Sequence, residues 1–182
     1  MKLKQVINIF GGPGVGKSTT AAGLFYQMKS QGYNVEYVTE YAKQLTYDER
    51  YNVLDSDQLY IFAKQHRKIY RLLGKCEYII TDSPLILSIM YFRLNPEKMI
   101  YNYLVFDTLV KDTFDKYPNI NILLKRNSRH FYQVEGRTQS KEQAKSIDID
   151  MKNLMLGLNV EFSEILSGTN AVKNIFNKVR NA

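Results

Sequence analysis

The chain has little of what would staple, anchor or divide it. It carries a single cysteine, Cys76, which cannot form an internal disulfide or a cysteine-rich zinc site, and which fits a reducing compartment. Its longest apolar stretches, such as Val6-Ile7-Asn8-Ile9-Phe10, fall far short of the roughly 18 to 20 residues that cross a bilayer, so no membrane partner is expected. The start, MKLKQVINIFGG, lacks the apolar core and small-residue cleavage site of a signal peptide and runs directly into glycines. There is no internal repeat, no low-complexity tract and no Pro/Gly/Ser linker, so residues 1–182 read as one domain. Acidic residues are also in deficit. Eighteen Asp plus Glu against 25 Lys plus Arg leave a net charge of +7, which favours acidic partners, phosphorylated metabolites and nucleic acid among them.

Strands alternate with helices along the chain. Gln5 to Phe10 is apolar with little alternation, as in a strand covered on both faces. A helix from Lys17 to about Gln31 follows, then a strand Val35 to Val38 ending in Thr39-Glu40-Tyr41. Asp55 or Ser56 is the expected cap of a helix through Leu59, Phe62, His66, Ile69 and Leu73, with Gly74 as its stop. A third strand, Glu77 to Thr81, ends in Asp82-Ser83-Pro84, and Asn95-Pro96 opens a helix reaching Phe114. Asn121 to Leu124 is a fourth strand. Ser140-x-x-Gln143 is a capping box for a helix through Ala144, Ile147, Met151 and Leu154. Val160 to Ile165 gives a fifth strand, and Thr169 or Asn170 caps a final helix. This order implies an α/β fold: a five-stranded, mainly parallel sheet with helices on both faces.

Gly11-x-x-x-x-Gly16-Lys17-Ser18 matches the phosphate-loop pattern at every fixed position and lies between a buried strand and a helix start, where that loop must be. Its glycines allow successive N–H groups to converge on an anion at the positive end of the helix. The nucleotide-binding set is therefore Gly11, Gly12, Pro13, Gly14, Val15, Gly16, Lys17, Ser18 and Thr19. Lys17 reaches the β and γ phosphates of ATP and Ser18 ligates Mg²⁺. Asp82, at a strand's carboxyl end, is the second metal-side group. Its successor is Ser83 rather than the Glu of water-activating ATPases, and no Asn-Lys-x-Asp run reads guanine, since Asn177-Lys178-Val179-Arg180 lacks the Asp. Both absences weigh against motors and GTPase switches.

On these motifs the chain resembles the P-loop nucleoside and nucleotide kinase superfamily, and more closely the small AAA-type ATP-binding proteins common in phages and related to the ribosylnicotinamide kinase domain. The resemblance spans nearly the whole chain and rests on Gly11 to Ser18, Val38-Thr39-Glu40-Tyr41, Thr81-Asp82-Ser83-Pro84 and an Arg-rich lid around Arg126, Arg129 and Gly136-Arg137. Ser83 departs from the Asp-Arg pair of many relatives. The resemblance implies ATP and Mg²⁺ as cofactors, a cytoplasmic setting (the host's, if the chain is phage-encoded) and a mobile lid over about residues 126–145. In that segment the arginines close on the phosphates. Between Asn119 and Lys145 there are six Lys or Arg and only two Glu. Arg126 and Arg137 are the catalytic candidates there, and Arg129 a nucleotide-binding one.

Glu40 is the candidate acceptor-side carboxylate, on the expectation that the second strand lies near the first and opens onto the γ-phosphate. Tyr37, Tyr41, Tyr47 and Tyr51, with Tyr91-Phe92-Arg93, crowd the edges where an acceptor site would open, and their faces could stack a nucleobase or nicotinamide; rim or core packing is the ordinary account of such rings. His66 reads as a core histidine and His130 as a solvated loop residue. The leading function is ATP-dependent phosphoryl transfer to a nucleoside- or nucleotide-like small molecule. A second reading moves the acceptor to a hydroxyl in nucleic acid, a strand end or a modified base, although no basic stripe stands out beyond the lid. A third is a P-loop ATPase or switch acting through a protein partner. Oligomeric state is left open.

Overall fold

The computed structural model describes residues 2–127 and 141–181, without the side chain of Lys141. Arg129, His130, Gly136, Arg137 and Ser140 lie outside the described residues.

Five strands form one parallel sheet in the order β2-β3-β1-β4-β5: β1 Gln5–Phe10, β2 Val35–Val38, β3 Tyr78–Thr81, β4 Asn119–Lys125 and β5 Ser163–Leu166. The apolar run of β1, broken only by Asn8, has the expected cause, because side chains alternate between two buried faces. Ile7 and Ile9 pack with Val35, Ile80, Ile122 and Leu124 against α1 (Lys17–Ser30) and α8 (Ala171–Arg180). Val6 and Phe10 pack with Ile79 and Leu123 under α4 (Gln58–Tyr70), α5 (Leu87–Leu94), α6 (Tyr103–Asp115) and α7 (Lys141–Gly157). Asn8 is buried in β1, where its Nδ2 donates to Asn119 Oδ1 at 2.8 Å and Asn121 Oδ1 at 3.0 Å. These bonds satisfy a core amide and help to pin β1 against β4.

Several expectations shift. The second strand does not border the first: β3 lies between them. Two short helices, α2 (Tyr41–Tyr47) and α3 (Tyr51–Ser56), occupy the polar stretch after β2. Asp57, not Asp55 or Ser56, caps α4, its side chain accepting from the Tyr60 N–H at 3.0 Å. Asn95-Pro96 opens only a single 3-10 turn, Pro96–Lys98, and Asn102 caps α6. α5 is an additional helix. It is buried nearly all round, with Leu87, Ile89, Met90 and Phe92 each at most 5% exposed, so it has no polar face to give it a period. The fifth strand begins three residues later than expected, at Ser163. Among the described residues no helix is long and apolar enough to cross a membrane.

Candidate functional site

Because every strand runs the same way, the residues that follow them collect at one edge: Gly11 onward after β1, Thr39-Glu40 after β2, Asp82 after β3 and Arg126 after β4. In an open α/β sheet this is the edge where ligands bind. The chain crosses from β1 to β2 on one side and from β3 to β4 on the other, so the phosphate loop stands where the winding reverses.

The loop leaves β1 with Gly11 at φ 141° and enters α1 through Gly16 at φ 98°, a left-handed position at the helix N-cap. No side chain caps this end of α1. A helix cannot bond its own first-turn N–H groups, and here those of Ser18 and Thr19 open onto the loop at the positive end of the helix dipole. Lys17 arches back so that its Nζ donates to the Gly12 carbonyl at 3.2 Å. The arrangement presents an ammonium and helix-end amides to the same small volume, which is a receptor for phosphate.

The outer side of the loop is held by α7. Asp148 Oδ1 accepts from the Gly12 N–H at 2.8 Å. The Arg126 guanidinium donates to Asp148 Oδ2 at 2.7 Å and to the Pro13 carbonyl at 2.9 Å. Arg126 thus sits against the back of the loop, most of its side chain buried, and ties the end of β4 to α7 and to the loop together. Arg129 and Arg137, the other lid candidates, fall outside the described residues.

On the opposite flank, Asp82 is 3% exposed. Its Oδ2 accepts from the Tyr37 hydroxyl at 2.8 Å, and among the described residues its buried Oδ1 has no hydrogen-bond partner. The Tyr37 hydroxyl also meets the Ser18 side chain, so a single phenol bridges the two expected metal-side groups. Burial and the neighbouring Asp82 carboxylate push the Tyr37 phenol well above its ordinary value, so it stays protonated and donating. Glu40, at the N-cap of α2, lies within electrostatic reach of Lys17 and Asp82. Its carboxyl is held above the ordinary carboxylate range chiefly by burial, with Asp82 adding and Lys17, Lys43 and Lys68 opposing. Burial with Glu40 nearby likewise raises the Tyr91 phenol, which places that ring beside Glu40.

The AAA domain family matches residues 6–171 of the chain. The chain belongs to that family. No curated protein matches this AAA domain in sequence. Its fold recurs in solved structures. A deoxyadenosine kinase from M. mycoides, with the products dCMP and a flexible dCDP bound, is 17% identical with a TM-score of 0.59 over 97% of this chain and 100% of that one. NadR in complex with NR is 14% identical with a TM-score of 0.64 over 98% of this chain and 51% of that one. The thymidylate kinase of Candida albicans is 12% identical with a TM-score of 0.56 over 98% and 90%. At such identities the likeness carries the fold, which is that of the P-loop nucleoside and nucleotide kinases.

The AAA domain therefore brings Lys17, Ser18, Glu40 and Asp82 together and sets Arg126 behind the loop. Sequence reasoning did not single out three contributors. The Tyr37 hydroxyl is one: the sequence marks Tyr37 only as a ring near the acceptor edge, and nothing in a buried strand tells where its phenol points. Asp148 is another, although it had a signal: a carboxylate on the α7 face shared by Ala144, Ile147 and Met151. The third is Lys68, whose Nζ donates to the Thr39 carbonyl at 3.1 Å, beside Glu40. His66 is half-buried rather than a core residue, and its Nε2 shares a 2.8 Å hydrogen bond with the Tyr117 hydroxyl, away from the site.

Proposed function

We propose that this chain is an ATP- and Mg²⁺-dependent kinase that transfers the γ-phosphoryl group to a nucleoside- or nucleotide-like acceptor. The observation that carries the proposal is a second carboxylate, Glu40, facing the phosphate loop from beyond the metal-side Asp82. Water-activating ATPases place their carboxylate directly after the strand-end Asp, where this chain has Ser83; a carboxylate brought in from a different strand suits the positioning of an acceptor hydroxyl.

The donor set fits Mg²⁺. The Asp82 carboxylate, bonded to the Tyr37 hydroxyl through Oδ2 and with Oδ1 unpartnered among the described residues, and the Ser18 side chain flank one tyrosine oxygen, and among the described residues no group of three acidic, His or Cys side chains could form a protein cage for a metal. An ion that keeps waters and phosphate oxygens as most of its ligands suits such a sparse set. When bound, Mg²⁺ supplies positive charge to the phosphate oxygens.

The chain's own residues account for the rest. Lys17 and the first-turn amides of α1 hold the β and γ phosphates and neutralise charge gathering on the bridging oxygen. Glu40 accepts the proton of an acceptor hydroxyl as that oxygen bonds to the γ phosphorus and the bond to the β-phosphate oxygen breaks, releasing ADP. Its raised proton affinity favours this task, because a base whose affinity lies nearer the working pH drives proton transfer further. Arg126 supports the loop from behind, and Arg137 and Arg129 are assigned to closing over the phosphates.

Incubation with labelled ATP and a panel of nucleosides, nucleotides and short DNA tests the proposal. Label should move to an acceptor, and Lys17→Ala should abolish the transfer. Hydrolysis that proceeds equally with every acceptor absent would replace the kinase by an ATPase.

A further inference from the structure

Along α4 and its C-cap four cations recur at helical spacing, Lys64, Arg67, Lys68 and the C-cap Arg71, where 3, 4 and 7 residues separate them from Lys64. At 100° per residue they fall within one arc of about 100°, turned away from the buried face of Ile61, Phe62, Gln65 and Ile69. This is a basic stripe outside the β4–α7 segment, contrary to the sequence expectation. Arg50, at the N-cap of α3, reaches the Tyr60 that Lys64 overlies, and Lys43 from α2 shares with Lys68 the surroundings of Glu40.

Two features separate the stripe from an ordinary solvated face. First, among the described residues none of these six cations forms an ion pair; Lys2, Lys75, Lys116, Lys145, Lys173, Lys178 and Arg180 form none either, so what marks this face is four such cations at helical spacing, one of them beside Glu40. The nearby acids are Asp48 and Glu49 at the end of α2, Asp57 capping α4, and Glu40 and Asp82 in the site. Second, the cations alternate with rings: Lys64 stands 5.2 Å from the centre of Tyr60, Lys68 5.6 Å from Tyr41 and Lys43 5.7 Å from Tyr47. Tyr41 and Tyr60 lie edge to face with a 2.9 Å hydroxyl contact, and Tyr47 is 68% exposed. Lys68 belongs to both the stripe and the site, within reach of Glu40 and Asp82.

Cations that track a phosphate backbone, interleaved with aromatic faces on which bases stack, are the recurring solution for holding a single strand. An anionic lipid surface would engage the charge but give the rings no stacked partner. We propose that the acceptor unit is carried on a single-stranded nucleic acid, whose backbone lies along Lys64, Arg67 and Arg71 and leads the reacting nucleotide to Glu40. This rests on the kinase reading for its chemistry and on the stripe for its substrate.

The test is fluorescence anisotropy of a labelled single-stranded 20-mer with the full chain, without ATP, from low to physiological salt. Binding should weaken with salt, with a logarithmic slope of about −0.7 per phosphate contact. The double substitution Arg67→Ala with Arg71→Ala should reduce that slope by about 1.4 and weaken binding at least about tenfold, with ATP affinity by calorimetry unchanged. The same effect from Lys29→Ala with Lys173→Ala, on the opposite face of the sheet, would overturn the assignment. So would absence of salt-dependent binding, or equal or tighter binding to polyglutamate or to phosphatidylserine vesicles. Strand binding with no transfer to any acceptor would sink the kinase reading and leave the surface standing. Transfer to a free nucleoside by a chain that ignores the strand would do the reverse.

Discussion

Replacing Tyr37 by Phe removes one oxygen and keeps the ring. Its tilted packing on Phe25, 6.3 Å between centroids, survives, so the change isolates the hydroxyl that donates to Asp82 Oδ2 at 2.8 Å. Asp82 is 3% exposed and its other oxygen already lacks a partner among the described residues, so little can replace the lost donor. A hydrogen bond to a charged group contributes about 1.5–3 kcal/mol, and a stranded buried carboxylate loses that much. At about 2–4 °C per kcal/mol for a chain of this length, Tyr37→Phe should lower Tm by about 3–12 °C. Urea unfolding is the sharper assay, because the midpoint should fall while the slope, set by the surface exposed, stays constant.

A double-mutant cycle with Asp82→Asn then asks whether the loss passes through Asp82. Against a neutral amide the same hydroxyl contributes about 0.5–1.5 kcal/mol, so the cycle should return a coupling energy of about 1 kcal/mol or more. In transfer assays the variant should need more Mg²⁺ for half-maximal rate, since Asp82 loses the bond that orients it. A stability change under about 0.5 kcal/mol, the range of an unremarkable surface substitution, or strictly additive losses in the cycle, would refute the argument.

Glu40→Gln should cut turnover far more than ATP affinity while raising Tm of the ligand-free chain. Because its folded carboxyl binds a proton more tightly than in the unfolded chain, Glu40 makes the native state less stable as pH rises through the ordinary carboxylate range and up to the raised value; Gln removes that penalty, and scanning calorimetry at pH 7 reads it. By the same sign, the acid limb of kcat/KM should lie above the ordinary Glu value of 4.5, and a limb at or below it would exclude Glu40 as the base. Gly12→Ala would place a Cβ 2.4 Å from Asp148 Oδ1 and 2.8 Å from the Ala144 carbonyl, so it should displace α7 from the loop and weaken ATP binding by calorimetry. Asp148→Asn keeps an acceptor for the Gly12 N–H but loses the charge facing Arg126, and should lie between Gly12→Ala and the parent chain in the same measurement.

How much could be read in advance follows from how local each signal is. The phosphate loop was fully legible, because its glycines, its lysine and the helix it opens all act within a few residues of one another. β1, β2 and α1 were placed almost to the residue for the same reason. α5 was invisible because a helix buried on nearly every side, exposed only at its Arg93-Leu94 end, reads as an apolar run without period after Asp82-Ser83-Pro84. Asn95-Pro96 misled because a good start signal cannot say how many turns follow; the chain makes one turn, then restarts at Asn102. Strand order was out of reach, since periodicity identifies strands and not their neighbours, and the expectation that β2 lies near β1 could not say that β3 stands between them.

The same distinction divides the site. Glu40 and Asp82 could be found because a carboxylate directly after a parallel strand must lie at the ligand edge, whichever strand is its neighbour; placing β3 between β1 and β2 changed the path to Glu40 without removing it from Lys17. The contacts that hold the site in shape are long-range. Tyr37 meets Asp82 across 45 residues and Gly12 meets Asp148 across 136, and neither partner carries a local mark of its role. The α4 stripe is the converse case. Its spacing was printed in the sequence, but four cations on a helix acquire meaning only when the fold shows that no carboxylate among the described residues pairs with them and that Lys68 stands beside Glu40. Charge that a fold leaves unpaired next to a carboxylate-lined cleft is charge held for a ligand, and a strand with its own phosphates can neutralise it without displacing ATP.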